Sequence, residues 1–263
     1  LGHGRRVILT RPSSDSQAWV SGLQHADHQV LHWPLIDIAP VSPTPLFLEM
    51  LASAANSQAI MFVSRNAVTH ALAAGWQASQ DAGPRCWATG PGTRQALLEA
   101  GVPAARIDAP PADAVQFDTE ALWHQVQHLV RAQDMVWIFR GADADNAESA
   151  MEGVGRDWLQ QQLQHAGVTV KTYAVYQRIC PHWDAAQVAQ ASAAASDGSV
   201  WVFTSSQALT HLNQLLPAVD WKLAKAIATH ERIAHAAQQL GVGHVWVCKP
   251  ALGAVLSLLE SLA

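Results

Sequence analysis

The chain repeats itself in the order A, B, A, B, and this constrains its fold more than any single motif. RVILTRP at 6–12 resembles MVWIFRG at 135–141: both are apolar strands ending in arginine and a turn-former. LQHADHQV at 23–30 matches LQHAGVTV at 163–170, completing unit A as strand–helix–strand. In unit B, MFVSRNAVTHAL at 61–72 matches VFTSSQALTHLN at 202–213, and CWATGPGTRQALLEAGV at 86–102 matches KAIATHERIAHAAQQLGV at 225–242. Unit B reads as three strand–helix steps. One A plus one B supplies five strands, the size of a small doubly wound domain, and two such domains account for the chain. The repeat leaves open whether each A joins the B after it or the first A closes with the last B.

The elements follow from hydrophobic period. Strands are expected at 6–10, 29–32, 59–63, 86–88, 135–139, 168–172, 200–203, 224–228 and 244–248, with a weaker one near Arg106-Ile107. Helices are expected at 17–26, 67–74, 94–100, 119–131, 157–166, 207–216 and 232–240. Apolar strands alternating with helices imply an α/β fold of parallel sheets covered on both faces. The segments after each A, 32–45 and 172–181, are Pro-bounded and β-rich, and read as extended crossovers.

Composition narrows the function classes. With 49% hydrophobic and 14% charged residues the chain can bury a large core. A net charge of −5 argues against general nucleic-acid or membrane affinity. No apolar run approaches a membrane span and no secretory signal layout opens the chain, so a soluble, cytoplasmic protein is expected. Cys86, Cys180 and Cys248 show no CxxC spacing, which fits a reducing compartment. Twelve Arg against four Lys favour local, planar recognition of carboxylate or phosphate.

In open α/β sheets ligands bind beyond the carboxyl ends of the strands. The repeat puts there Thr10-Arg11, Ser64-Arg65-Asn66, Thr89-Gly90, Arg140-Gly141, Thr204-Ser205-Ser206 and Thr229-His230. Each end is expected to start a helix, whose free N–H groups favour an anion. Any one of these residues could be a plain helix cap. Six together suit a polyanion held by two lobes. GPGTRQA at 90–96 lacks the third glycine of a dinucleotide fingerprint, and no G-x-S-x-G elbow surrounds Ser64 or Ser205. His25, His28 and His32 straddle a helix end and a strand, so no metal is expected. The eleven Trp are expected in core or interface positions. TYAVYQR at 172–178 holds both tyrosines, and strict alternation would place Tyr176 opposite Val175, either packed with a surface hydroxyl or serving as a weak acid.

In order and spacing, VILTRP, WPLIDIAP, FVSRNAV, ATGPGTRQAL, FDTEAL, FRG, RDWLQQQLQHAGVTVKTYAVYQR, VFTSSQAL and AIATHERIAHAAQQLGV resemble the uroporphyrinogen-III synthase family along essentially the whole chain. The resemblance implies two doubly wound, flavodoxin-like or Rossmann-like domains joined by a two-stranded linker. The first is discontinuous (1–36 and 180–263), and the second is inserted (37–179), with linker segments near 33–42 and 172–180. It implies a cofactor-free, monomeric cyclising dehydratase. The substrate would be hydroxymethylbilane, a linear tetrapyrrole with eight carboxylates, closed to uroporphyrinogen III with ring D inverted through an azafulvene cation and a spiro intermediate. Tyr176 matches the family's cleft tyrosine, which donates to the departing hydroxyl. The carboxylates would fall to Arg11, Ser64, Asn66, Thr89, Gly90, Thr93, Arg140, Gly141, Thr204, Ser205, Ser206 and Thr229. A substrate-contacting threonine of the family falls on Glu231, which would repel a carboxylate, so Thr229 takes that role. Two rivals fit the same repeat: a two-lobed, non-enzymatic binder of an anionic small molecule, and a nucleotide-using transferase resting on Gly90 to Thr93.

Overall fold

The computed structural model describes residues 4–41, 44–79, 82–111, 119–143 and 156–262. The first half runs β1 (Arg6–Leu9), α1 (Gln17–His25), β2 (Gln29–His32), β3 (Asp37–Pro40), α2 (Pro45–Ala55), β4 (Ala59–Phe62), α3 (Arg65–Ala73), β5 (Arg85–Ala88), α4 (Pro91–Glu99), β6 (Ile107–Asp108) and α5 (Thr119–Val126). The second half runs β7 (Met135–Asp143), α6 (Arg156–His165), β8 (Thr169–Ile179), α7 (Ala185–Ala194), β9 (Val200–Phe203), α8 (Ser206–Leu215), β10 (Lys225–Ala228), α9 (Glu231–Leu240), β11 (His244–Val247) and α10 (Leu252–Ser261). The chain divides into two compact units, Leu1–Asp37 with Ile179–Ala263, and Ile38–Arg178.

The first unit carries a five-stranded sheet in the order β11-β10-β9-β1-β2, all parallel. The first A segment therefore closes with the last B. Val7, Leu9, Val200, Val202 and Ile227 face α1 and α10 through Trp19, Leu23, Val255 and Leu259. Among the tryptophans of this unit, Trp201 packs against Trp33 at 6.0 Å and Trp221 at 5.4 Å, and Trp33 also meets Trp183 at 6.2 Å.

The second unit carries the order β3-β8-β7-β4-β5-β6. Matching β7 to β1, β8 to β2 and β4, β5, β6 to β9, β10, β11 gives the same spatial order in both sheets, as the A and B repeats require. β4 is buried along its whole length: Ile60 and Phe62 face α2, α3 and α4, while Ala59 and Met61 face α5 and α6. A continuous apolar strand is what a sheet covered on both faces needs. In each sheet the strand order reverses beside the first strand of its A segment, between β1 and β9 and between β7 and β4, and such switch points open the ligand-binding crevice of doubly wound sheets.

Three departures from the sequence reading have local causes. α2 was not anticipated from the sequence: it follows 32–45 at once, with Pro45 in its first turn and the Thr44 hydroxyl accepting from the Phe47 N–H at 3.2 Å. α7 is equally unanticipated, an alanine-rich helix with no large apolar stripe, fixed by a capping box between Asp184 and Gln187. Residues 172–179 are extended, as read, but not as a segment of their own, since they continue β8, which runs eleven residues to the unit boundary with β3 on its outer side.

Candidate active site

The best-defined constellation lies at the switch point of the second unit. Val63 follows β4, and Ser64 caps α3: its Oγ accepts from the Ala67 N–H at 3.2 Å and lies 3.2 Å from the Tyr176 hydroxyl. Tyr176 arrives by a β-bulge. β8 pairs Arg140 with Ala174 and Gly141 with Tyr176, so Val175 is the extra residue. Strict alternation fails there, and Val175 and Tyr176 pack into one core cluster instead of opposite faces. The ring is 5% exposed, with its hydroxyl turned inward to Ser64.

Two residues hold that ring. A Cβ built on Gly141 would lie 2.5 Å from Tyr176 Cζ and 2.9 Å from its hydroxyl, and closer still to Cε2. Only glycine gives the ring this close approach to the backbone. The His70 imidazole also packs against the ring, with centroids 5.5 Å apart and planes tilted by 34°. Burial lowers the His70 pKa from its ordinary value, which favours the neutral ring. His70 escaped the sequence reading, although it lies six residues beyond Ser64 in a stretch already singled out.

Proton accounting defines what this pair can do. The Ser64 oxygen accepts from Ala67, and one of the two O–H groups is spent between Ser64 and Tyr176. One O–H remains to be given away, from either oxygen, because a hydroxyl carries a single donor. The site thus offers one O–H donor, with the His70 imidazole packed against the Tyr176 ring.

The other predicted residues are placed as follows. Arg140 and Gly141 do not end a strand or open a helix: β8 runs on alongside and pairs β7 through Asp143. Arg140 is buried. The Thr89 hydroxyl donates to the Val63 carbonyl at 3.1 Å, so its single donor already ties β5 to β4. Gly90 is the N-cap of α4, and Thr93 occupies a buried position one turn in, at 5% exposure. Asn66, in the first turn of α3, is half-buried. Arg65 pairs with Glu99 at 3.0 Å on the exposed face. Of the FDTEAL motif, residues 117 and 118 lie outside the described residues.

In the first unit, Thr10 repeats the tie of Thr89, donating to the Val202 carbonyl at 2.7 Å. The Arg11 guanidinium stacks on Trp19, 4.6 Å from the ring centre. Thr204 follows β9 and is half-buried. Ser205 is the N-cap of α8 but, unlike Ser64, makes no side-chain cap. Ser206 lines a cavity between α8 and α9 with Leu209, Asn213 and Gln239. Thr229 is buried, its N–H bonded to the Phe203 carbonyl at 3.1 Å. His230 caps α9, and Glu231 places its own carboxylate in the first turn, the position an external anion would use. Among the described residues no three His, Cys, Asp or Glu are placed to hold a metal, and no helix is long and apolar enough to cross a membrane.

A family model described as uroporphyrinogen-III synthase HemD matches residues 17–255. The chain belongs to the uroporphyrinogen-III synthase family. It is 27% identical to the uroporphyrinogen-III synthase of Escherichia coli K12 over 89% of this chain and 91% of that one. Identity to the synthase of Synechococcus elongatus is also 27%, over 83% and 78%. Among solved structures, the uroporphyrinogen-III synthetase of Helicobacter pylori 26695 aligns with a TM-score of 0.59 at 18% identity, covering 98% of this chain and all of that one. A mutant uroporphyrinogen III synthase of Thermus thermophilus gives 0.53 at 16%, covering 98% of each. These two likenesses carry the two-domain α/β fold. Membership in the synthase family makes the chain an enzyme of tetrapyrrole biosynthesis, a cyclising hydro-lyase.

Proposed function

We propose that this chain converts hydroxymethylbilane to uroporphyrinogen III, with Tyr176 as the group that assists loss of water. The observation carrying this reading is the Ser64–Tyr176 pair: two hydroxyls 3.2 Å apart at a switch point, with one donor left to give. The substrate hydroxyl departs as water with a proton from this pair, leaving an azafulvene cation. Attack by the linkage-bearing carbon of ring D gives the spiro intermediate, and its rearrangement inverts the ring. The proton lost when the last pyrrole regains aromaticity restores the hydroxyl, so the net change is release of one water.

Such a substrate is reactive by itself, and the protein has more to do in folding and shielding it than in activating it. Its carboxylate arms are met locally in a chain of net charge −5. Ser64, Asn66, Gly90 and Arg140 of the second unit, and Arg11, Thr204 and Ser205 of the first, are the proposed partners. Thr89 has its donor occupied, and Thr93 and Thr229 are buried, which ranks these three lower. The protein works as a monomer in the cytoplasm, without a metal or organic cofactor.

The test is Tyr176→Phe, which keeps the ring and removes the acid. Turnover should fall on the order of 100-fold, with far-UV circular dichroism unchanged. Wild-type turnover in a folded Tyr176→Phe protein would leave the tyrosine a packing residue only.

A further inference from the structure

Within the proposed cyclisation, on which this step rests, we propose that Ser64 is the catalytic residue that hands its proton to the departing hydroxyl, while Tyr176 resupplies Ser64 from behind. The 3.2 Å contact between the two oxygens allows either one to donate. Their surroundings decide. Tyr176 is 5% exposed, and among the described residues its hydroxyl meets no hydrogen-bonding group other than Ser64 Oγ. If Ser64 donated to it, the phenol O–H would be a buried donor without an acceptor, which is costly. Turned round, the phenol donates to Ser64 and nothing is left unmade. A phenol is also a stronger acid than an alkyl hydroxyl, and the better donor of the two.

Ser64 can take this proton and still give one away. Its Oγ has two lone pairs and one hydrogen. The lone pairs accept from the Ala67 N–H at 3.2 Å and from Tyr176, which leaves the hydrogen free to point outward. Ser64 is half-buried, more open than the tyrosine. As the N-cap of α3 it sits where the helix presents its partial positive charge, which favours the negative charge that builds on the pair as it loses a proton. Ser64 has only that one O–H, so it serves the departing hydroxyl and leaves the carboxylate arms in this unit to Asn66, Gly90 and Arg140. The repeat supplies the contrast: Ser205 stands in the place of Ser64, and in step with the match of 23–30 to 163–170, Ile36 stands in the place of Tyr176.

The Ser64 O–H bond breaks as its proton passes to the substrate hydroxyl, and the Tyr176 proton moves onto Ser64 Oγ. The carbon–oxygen bond of the substrate breaks with it, releasing water and the azafulvene cation and leaving a Tyr176 phenolate. The proton lost when the last pyrrole regains aromaticity returns by the same path, so both hydroxyls end as they began.

Ser64→Gly is the test, because glycine is nearly as good an N-cap and carries no hydroxyl. With far-UV circular dichroism unchanged, its kcat should fall at least as far as that of Tyr176→Phe, on the order of 100-fold. Ser64→Thr, which keeps hydroxyl and cap, should recover most of that loss. If Tyr176 gave its own proton outward, Ser64→Gly would stay the faster of the two variants; that result would overturn the relay and leave cyclisation through Tyr176 standing. Wild-type turnover in both would overturn both. A readout independent of turnover is the 13C resonance of the Tyr176 Cζ in equal H2O and D2O. The chain has two tyrosines, so Tyr176→Phe assigns the line. It should split in two in the wild type, because a phenol proton held against Ser64 exchanges slowly, and merge into one in Ser64→Gly. A single line in the wild type would place that proton in solvent and overturn the proposed direction.

Discussion

Gly141→Ala offers the sharpest probe of how the site is built. The new methyl carbon would stand 2.5 Å from Tyr176 Cζ and closer still to Cε2, whereas ordinary contact begins at 3.4 Å, so ring and backbone must part by at least about 0.9 Å. The Tyr176–Ser64 contact is already 3.2 Å, and an O–H···O pair much beyond 3.5 Å is no longer a hydrogen bond. The margin is therefore at most about a third of the displacement required. The ring is packed between β7, His70 and the core cluster, so the strain spreads into the bulge. Overpacking of this kind costs about 1–3 kcal/mol of stability. In kinetics, Gly141→Ala should lose kcat about as far as Tyr176→Phe does. The double variant should be no worse than the slower single one, because both remove the same hydroxyl from the same place. The assay is steady-state turnover of hydroxymethylbilane by all three variants, alongside urea midpoints. A stable Gly141→Ala protein with wild-type kcat would refute the claim that this glycine positions Tyr176.

Three further outcomes follow from contacts at specific groups. Ser64→Ala loses a real cap and should cost about 1 kcal/mol in urea unfolding, whereas Ser205→Ala, whose hydroxyl caps nothing, should be near neutral; equal costs would contradict the asymmetry. His70 is held below its ordinary value by burial, so the unfolded chain takes up the proton first as pH falls. Its contribution is whole above about pH 6.5 and is lost as pH drops through the lower folded value. The thermal midpoint of His70→Phe should therefore decline less between pH 7 and 5 than that of the wild type, and parallel curves would count against it. Cys86, with a thiol pushed to about 12, should resist iodoacetamide at pH values near 8 in the native protein. Cys180 and Cys248 are half-buried and should label first, so mass spectrometry should find at most two adducts before unfolding.

Much of the architecture was legible because it is written twice. The pairing of 6–12 with 135–141 and of 61–72 with 202–213 anticipated two sheets of one spatial order. Which A closed with which B was not legible from the repeat, since it depends on contacts more than 150 residues apart, such as Val7 with Val200. Apart from Arg140 and Gly141, the singled-out residues do lie at or just beyond strand ends, but the contacts they make there were not legible. The bulge at Val175 leaves no mark in the pattern, so period-2 alternation misassigned the face of Tyr176. Nothing in Thr89 or Thr10 announces that each hydroxyl is tied to a neighbouring strand. α2 was missed because its apolar run shows little periodicity, and α7 because alanine buries without a stripe. The role of Gly141 as the floor beneath an aromatic ring needs the strand register, which no single motif supplies.

The proposed reaction is tested most directly by the isomer formed. Freshly prepared hydroxymethylbilane is supplied to the purified protein, and the oxidised porphyrins are resolved into types I and III. Type III is expected as the dominant product, with Tyr176→Phe shifting the mixture toward type I as spontaneous closure overtakes the slowed enzyme. Type I alone, matching the control without protein, would contradict the proposal.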